Sequence, residues 1–299
     1  MKEGINPHRP RLSPFFRSPF SLSTLSPRRL FPTALQYLAL VILFAFVAFP
    51  MFYIASGSLK STADLSRNVL FPKTLRFDNF VKVFAYPEII ASFGNSAFIA
   101  AAALFVSVNA CLLAGYAIAR RKERLFSGWY LFFLSALMVP GVSTLVMLYR
   151  LIFALGLMNT RTALILIYSA GTIPFGILIL SGFIKTIPTS LDESAMIEGC
   201  GYFSRIYLIV LPLANFAVII FIVLQLPAIW NDFLYPLLFI RDKWKITVTL
   251  GVYNFSRVRE ADYGSIFALL TLALIPPVAF FIYGQKYIYK GIVAGAVKE

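Results

Sequence analysis

Charge is scarce in this chain. Asp, Glu, Lys and Arg make up 13% of its 299 residues and hydrophobic types 59%, where a soluble domain averages about 25% and 45–50%. That balance excludes an ordinary soluble core. Histidine is represented by His8 alone, and the two cysteines, Cys111 and Cys200, fall in an apolar run and a polar loop. No His/Cys metal centre can be assembled from this inventory, and no disulfide framework is expected. The pattern G-x-x-x-x-G-K-[ST] occurs nowhere, so the chain lacks the loop that cradles nucleotide phosphates. The net charge of +14 comes without a nucleic-acid recognition motif. It is concentrated in tails and loops, where anionic lipid headgroups are the plainer partner.

What the chain has in abundance is long apolar runs. Six lie at about 34–56, 91–118, 125–149, 163–183, 206–229 and 265–285, each close to the roughly 20 residues that a membrane helix needs. Every Asp, Glu, Lys, Arg and His falls outside them. Intramembrane charges usually mark an ion or proton path, so their absence argues against a proton- or sodium-coupled carrier working alone. Residues 1–33, rich in Arg, Pro and Ser, read as a flexible basic tail. The first run could be a signal peptide, and the tail also has the composition of an organelle transit peptide. The run exceeds the usual 7–15-residue signal core, which favours an uncleaved anchor.

Orientation rests on basic residues near the helix ends. The loop Arg120-Arg121-Lys122-Glu123-Arg124 is short and strongly basic. Placing it inside with the basic tail puts the loop 184–205 and both termini in the cytoplasm. The outer loops, about 57–90 and 230–264, then carry aromatic residues and mixed charge, a composition suited to receiving a protein. Outside, Lys and Arg total 12 against 7 Asp and Glu, a mild signal for an acidic ligand.

The polar loop 184–205 holds a short helix by every local rule. Pro188 stops the preceding helix. Ser190 and Glu193 have the S-x-x-E spacing of a capping box, Asp192 and Glu193 suit the positive end of the helix dipole, and Gly199 stands where a C-terminal glycine belongs. The expected helix is 191–198. Ala195 and Gly199, four apart, share a small-residue face that would let another backbone come close. A lipid-binding helix should be rich in Lys and Arg; this one carries acids only.

These features resemble the permease subunits of carbohydrate-importing ABC transporters, on the maltose-permease pattern. Glu193-Ser194-Ala195, Ile197 and Gly199 fit the "EAA" loop of that family, except that Ser194 replaces its usual second alanine. Phe93-Gly94-Asn95-Ser96, the passage Gly115 to Arg120, Met138-Val139-Pro140-Gly141, Trp230-Asn231-Asp232-Phe233-Leu234-Tyr235 and the C-terminal Gly295-Ala296-Val297-Lys298 carry the rest of the likeness. The resemblance implies an all-α membrane protein: a six-helix, type I importer-like bundle over 34–299 with a cytoplasmic tail at about 286–299. It also implies a second, homologous permease, two ATPase subunits that bind ATP and Mg, and a periplasmic or extracellular solute-binding protein. The setting would be a bacterial inner membrane and the mechanism alternating access. The loop helix would dock on an ATPase subunit, and the tail residues 295–298 would reach between the two. Alternatives left open are the same architecture carrying polyamine, iron or phosphonate, and a stand-alone secondary carrier.

Sugars are recognised by amides, carboxylates and aromatic faces. The in-membrane candidates are Asn95, Asn109, Tyr116, Tyr168, Asn215 and Gln225, joined by Trp230, Asn231, Asp232 and Tyr235 at the end of the fifth run. Each could equally make a helix-to-helix hydrogen bond.

Overall fold

The computed structural model describes residues 27–67, 70–259 and 262–296, all helix, turn or loop. The helices are α1 (Pro27–Ser58), α2 (Thr62–Ser66), α3 (Asp78–Phe84), α4 (Pro87–Arg120), α5 (Arg124–Ala136), α6 (Leu145–Ala154), α7 (Arg161–Ile184), α8 (Thr189–Ile197) and α9 (Tyr202–Ser204). A π-helical stretch, Arg205–Val210, leads into α10 (Leu211–Trp230), followed by α11 (Leu234–Phe239), α12 (Val248–Val258) and α13 (Tyr263–Ala296). By its contacts the chain divides into Met1–Phe52 and Tyr53–Glu299. In the first unit the side chains of Leu38, Phe44 and Phe46 are exposed.

Among the described residues, five helical stretches are long and apolar enough to cross a membrane: Leu35–Ser58, Pro87–Arg120, Arg161–Ile184, Tyr202–Trp230 and Tyr263–Tyr287. The third expected span, 125–149, is not one helix. It breaks into α5 and a second arm, Gly141–Ala154, set at 94° to it. Pro140 is the cause: it has no N–H to give a helix, its ring excludes the α conformation from the residue before it, and its own ψ of 123° is extended. Met138, Val139 and Val142 at this elbow are exposed.

Both ends of the chain differ from expectation. Helix α1 begins at Pro27, so the last seven residues of the expected flexible tail are helical, and 1–26 lie outside the described residues. The expected cytoplasmic tail, about 286–299, is helical as far as Ala296, where α13 ends. Gly295 and Ala296 are its last helical residues, and Val297 and Lys298 lie outside the described residues.

The core of the second unit is the seam between α4 and α7. Ala103, Cys111 and Leu112 from one, and Leu164, Ile177 and Leu180 from the other, are buried in a single cluster. Small residues let these backbones close up: a Cβ on Gly115 would stand 3.2 Å from the Ser181 amide nitrogen, and one on Gly176 would collide with Cys111 Sγ. Polar side chains stitch the seam without exposing themselves. Ser107 Oγ and Thr172 Oγ1 are 2.7 Å apart, and Ser169 Oγ donates to the Ala103 carbonyl at 3.2 Å.

At the end where α4 and α7 begin, the two long loops fold against each other. Lys82 of α3 pairs with Asp262 at 3.1 Å, and Arg259 donates to the Tyr86 hydroxyl. Asn79 donates to the carbonyls of Ser58 and Lys60. The aromatic, mixed-charge composition of these loops thus corresponds to folded surface.

Candidate functional site

Helix α8 forms where the sequence puts it, with a different start. It begins at Thr189, so Ser190 lies inside the first turn, and no side chain caps it. The S-x-x-E box therefore does not form: Pro188 is already the capping residue, and its carbonyl accepts the Leu191 N–H at 3.3 Å. The C-terminus is closed as the glycine requires. Gly199 has φ +85°, its N–H reaches the Met196 carbonyl at 3.1 Å, and the Cys200 N–H reaches the Ala195 carbonyl at 2.9 Å. This pair of bonds is the Schellman arrangement, which needs a left-handed residue between helix and loop.

The two faces of α8 are distributed otherwise than the small-residue argument suggests. Ala195 and Asp192 are buried against the bundle. Leu191, Met196 and Ile197 point outward, Ile197 with 88% of its surface exposed. Glu193, Ser194 and Gly199 are exposed beside them. The surface on offer is therefore a small apolar patch with an acidic edge.

What fixes α8 in place is a buried ion pair. Nε of Arg120, the last residue of α4, stands 2.5 Å from Oδ2 of Asp192, with both side chains about nine-tenths buried. Arg120 Nη1 donates to the Ile187 carbonyl at 2.9 Å. Tyr116, one turn back along α4, points its hydroxyl at Asp192 Oδ1 across 3.4 Å, and its ring meets Tyr202 edge-on. Tyr116 is thus part of the α8 mounting and shares no site with Asp232. The residue types were visible in the sequence, but the Arg120–Asp192 pairing was not, because 72 positions separate its partners.

At the opposite end, Tyr168, Thr172, Gln225, Asp232 and Tyr235 line a cavity of about 200 Å³. Tyr168 Oη donates to Asp232 Oδ2 at 2.7 Å, and Asp232 also accepts the first-turn N–H groups of Leu234 and Tyr235. Gly171, Ile167 and Tyr235 border a larger crevice of about 820 Å³ that extends past Pro174 to the elbow between α5 and α6. Among the described residues, no basic side chain lines either space.

The other candidates have structural partners. Asn95 is buried and donates to the Trp244 and Ile246 carbonyls, each at 2.9 Å. Asn109 accepts from Tyr207 and donates within its own helix. Trp230 gives its indole N–H to the Ala273 carbonyl at 3.2 Å. Asn231 and Asn215 are exposed. Of the basic residues counted as outer, Lys82 and Arg259 are paired with Asp262, and Lys245 is paired with Asp242.

Long apolar helices beside a polar cavity, with a short helix outside them, describe a polytopic membrane protein. Residues 111–293 match the family of binding-protein-dependent transport system inner membrane components, and the chain belongs to it. It is 30% identical to the melibiose/raffinose/stachyose import permease of Bacillus subtilis (strain 168), over 83% of this chain and 91% of that one. It is 34% identical to the trehalose/maltose transport system permease of Thermococcus litoralis, over 80% and 82%. Its fold matches a chain of a bacterial ABC transporter involved in import of the acidic polysaccharide alginate, with a TM-score of 0.77, 19% identity, and coverage of 88% of this chain and 98% of that one.

Proposed function

We propose that this chain is the permease subunit of a binding-protein-dependent ABC importer for an uncharged sugar or oligosaccharide. The observation that carries the reading is α8: an apolar, acid-edged surface held outside the spans by a buried ion pair and closed by a glycine cap. A surface of this kind has no use in lipid and suits a cleft in a protein. It would dock on one of two ATPase subunits, which bind ATP and Mg; the chain has no phosphate loop and is not itself an enzyme. A second permease of like fold completes the path, and a solute-binding protein delivers substrate at the α3–α12 end.

The names of the relatives and the chemistry of the cavity agree on sugar. Tyrosine, amide, hydroxyl and carboxylate groups complement a hydroxyl pattern. Asp232 without a facing cation disfavours an anionic substrate, because like charges in a low-dielectric site repel strongly. This counts against the acidic saccharide that the excess of outer basic residues suggested. The basic 120–124 loop lies at the α8 end, so that end and both termini are assigned to the cytoplasm of a bacterial inner membrane. Closure of the ATPases would push α8 and switch the bundle between inward- and outward-facing states. Co-expression with an ATPase, a binding protein and a second permease from the same genome should yield a complex whose ATP hydrolysis rises with a neutral sugar-loaded binding protein. No rise across a panel of neutral sugars, with a rise for a uronate or a non-sugar solute, would refute the substrate assignment.

A further inference from the structure

The single helix α4 grips both partner-facing ends of the molecule. At one end Arg120 and Tyr116 hold α8 through Asp192, and Arg120 also holds the Ile187 carbonyl just before it. At the other, Asn95 holds the carbonyls of Trp244 and Ile246. One residue on, Ser96 Oγ accepts the Val248 N–H that opens α12, at 2.8 Å. Gly251 of α12 comes close enough that a Cβ there would stand 3.1 Å from Ser92 Oγ. All these residues except Trp244 are buried or half-buried. From Asn95 to Arg120 the unbroken helix rises through 25 steps, about 37 Å at 1.5 Å per residue.

The alternative route from α8 into the bundle is covalent and softer. Helix α8 reaches α10 through α9 and the π-helical stretch Arg205–Val210, and Pro212 opens the next span. Widened turns of this kind sit where a helix is locally irregular, and they absorb displacement. By contrast α4 has no proline after Pro87 and is stitched along its length to α7. The joint at its α8 end is attractive without being fully hydrogen-bonded. Arg120 Nε and Asp192 Oδ2 are in ion-pair contact but lack hydrogen-bond alignment, and Arg120 Nη2 is buried without a hydrogen-bond partner. A charge pair less dependent on angle can hold while one helix rocks against the other.

We infer that α4 is the strut connecting the outer segment 244–251 to α8, with Asn95, Arg120 and Asp192 as its positioning residues. Under the proposed function on which this rests, it would carry the presence of a loaded binding protein on one side of the membrane to the ATPase on the other. Spatial continuity alone does not establish such a connection; an energetic coupling does.

The test is a double-mutant cycle in the reconstituted assembly, reading ATP hydrolysis with and without sugar-loaded binding protein, per assembled complex. Asn95→Ala and Asp192→Asn should each keep basal hydrolysis and lower the stimulation about tenfold, near the upper end of coupling energies measured along such networks. Groups this far apart that act independently give additive effects. The strut requires the double variant to lose little more than either single one. Asp192→Glu, which keeps the charge, should restore most of the stimulation and assemble normally. Additive losses, or full stimulation in Asp192→Asn, would overturn the strut while leaving the importer intact. No stimulation in the unaltered assembly would refute the importer reading and the strut with it.

Discussion

The Tyr168 hydroxyl donates a 2.7 Å hydrogen bond to Oδ2 of Asp232, so a residue two turns inside α7 is tied to the turn that ends α10. The same carboxylate accepts the N–H groups of Leu234 and Tyr235 that open α11. Asp232 thus anchors a local turn and borders the polar cavity.

These two roles separate by mutation. Tyr168→Phe removes one donor and leaves the turn intact. It should lower sugar uptake while the complex melts within a few degrees of the parent. Asp232→Ala removes all three bonds, including those that satisfy the first turn of α11, and should cost about 1–2 kcal/mol of stability as well as uptake. Uptake in vesicles and thermal melting of the purified complex distinguish them. Equal melting losses would mean that Tyr168 is only structural.

Gly199 occupies the left-handed region, where a side chain costs about 1 kcal/mol or more, and nothing lies within 4 Å of its missing Cβ. Gly199→Asn should therefore be tolerated, because asparagine enters this region readily. Gly199→Leu should reach the membrane at normal levels and lose coupling to ATP hydrolysis, since the bulk falls on the exposed edge of α8. Ile197→Asp should release the ATPase subunits outright, read by co-purification. Wild-type uptake in Gly199→Leu would refute docking through α8.

Gly176 faces Cys111 Sγ across the α4–α7 seam and Phe221 of α10 beside it. Gly176→Val should destabilise by at least 1–3 kcal/mol, the usual cost of overpacking. The sign would show as lower membrane abundance. Pairing it with Cys111→Ala, which empties the space, should recover part of the loss.

Asp262 sits among donors from Lys82 and Ser265. Desolvation raises its pKa, but those hydrogen bonds and the Lys82 charge outweigh it and hold the carboxyl below its ordinary value of 3.8. A carboxylate depressed in this way stabilises the fold above the ordinary value, and the contribution is lost as pH falls below it. Asp262→Asn should therefore lower the melting temperature at neutral pH, and the gap to the parent should close as pH falls below about 4.

Deleting residues 291–299 removes the last helical residues of α13 and should leave the complex assembled with reduced stimulated hydrolysis. Unchanged stimulation would make this end an anchor only.

The straight spans were legible because each is a long apolar run with no charge, and that alone fixes a membrane helix. The elbow at Pro140 was not: the apolar run continues through it, and composition does not register a change of direction. Helix α8 was legible in place and length from Pro188 and Gly199. Its orientation was not, because size and spacing identify Ala195 as small without revealing that Asp192, three residues earlier, would turn inward to Arg120. The contact of Tyr116 with Asp192 was hidden for a related reason. A tyrosine in an apolar run announces a polar contact but not its partner.

The elbow also restricts what can surround it. A helix break leaves amide and carbonyl groups without intrahelical partners, and hydrocarbon supplies none. The side chains around Met138, Val139 and Val142 nonetheless face outward. At hydrocarbon depth such groups would need protein or water as neighbours, because acyl chains supply no hydrogen bond.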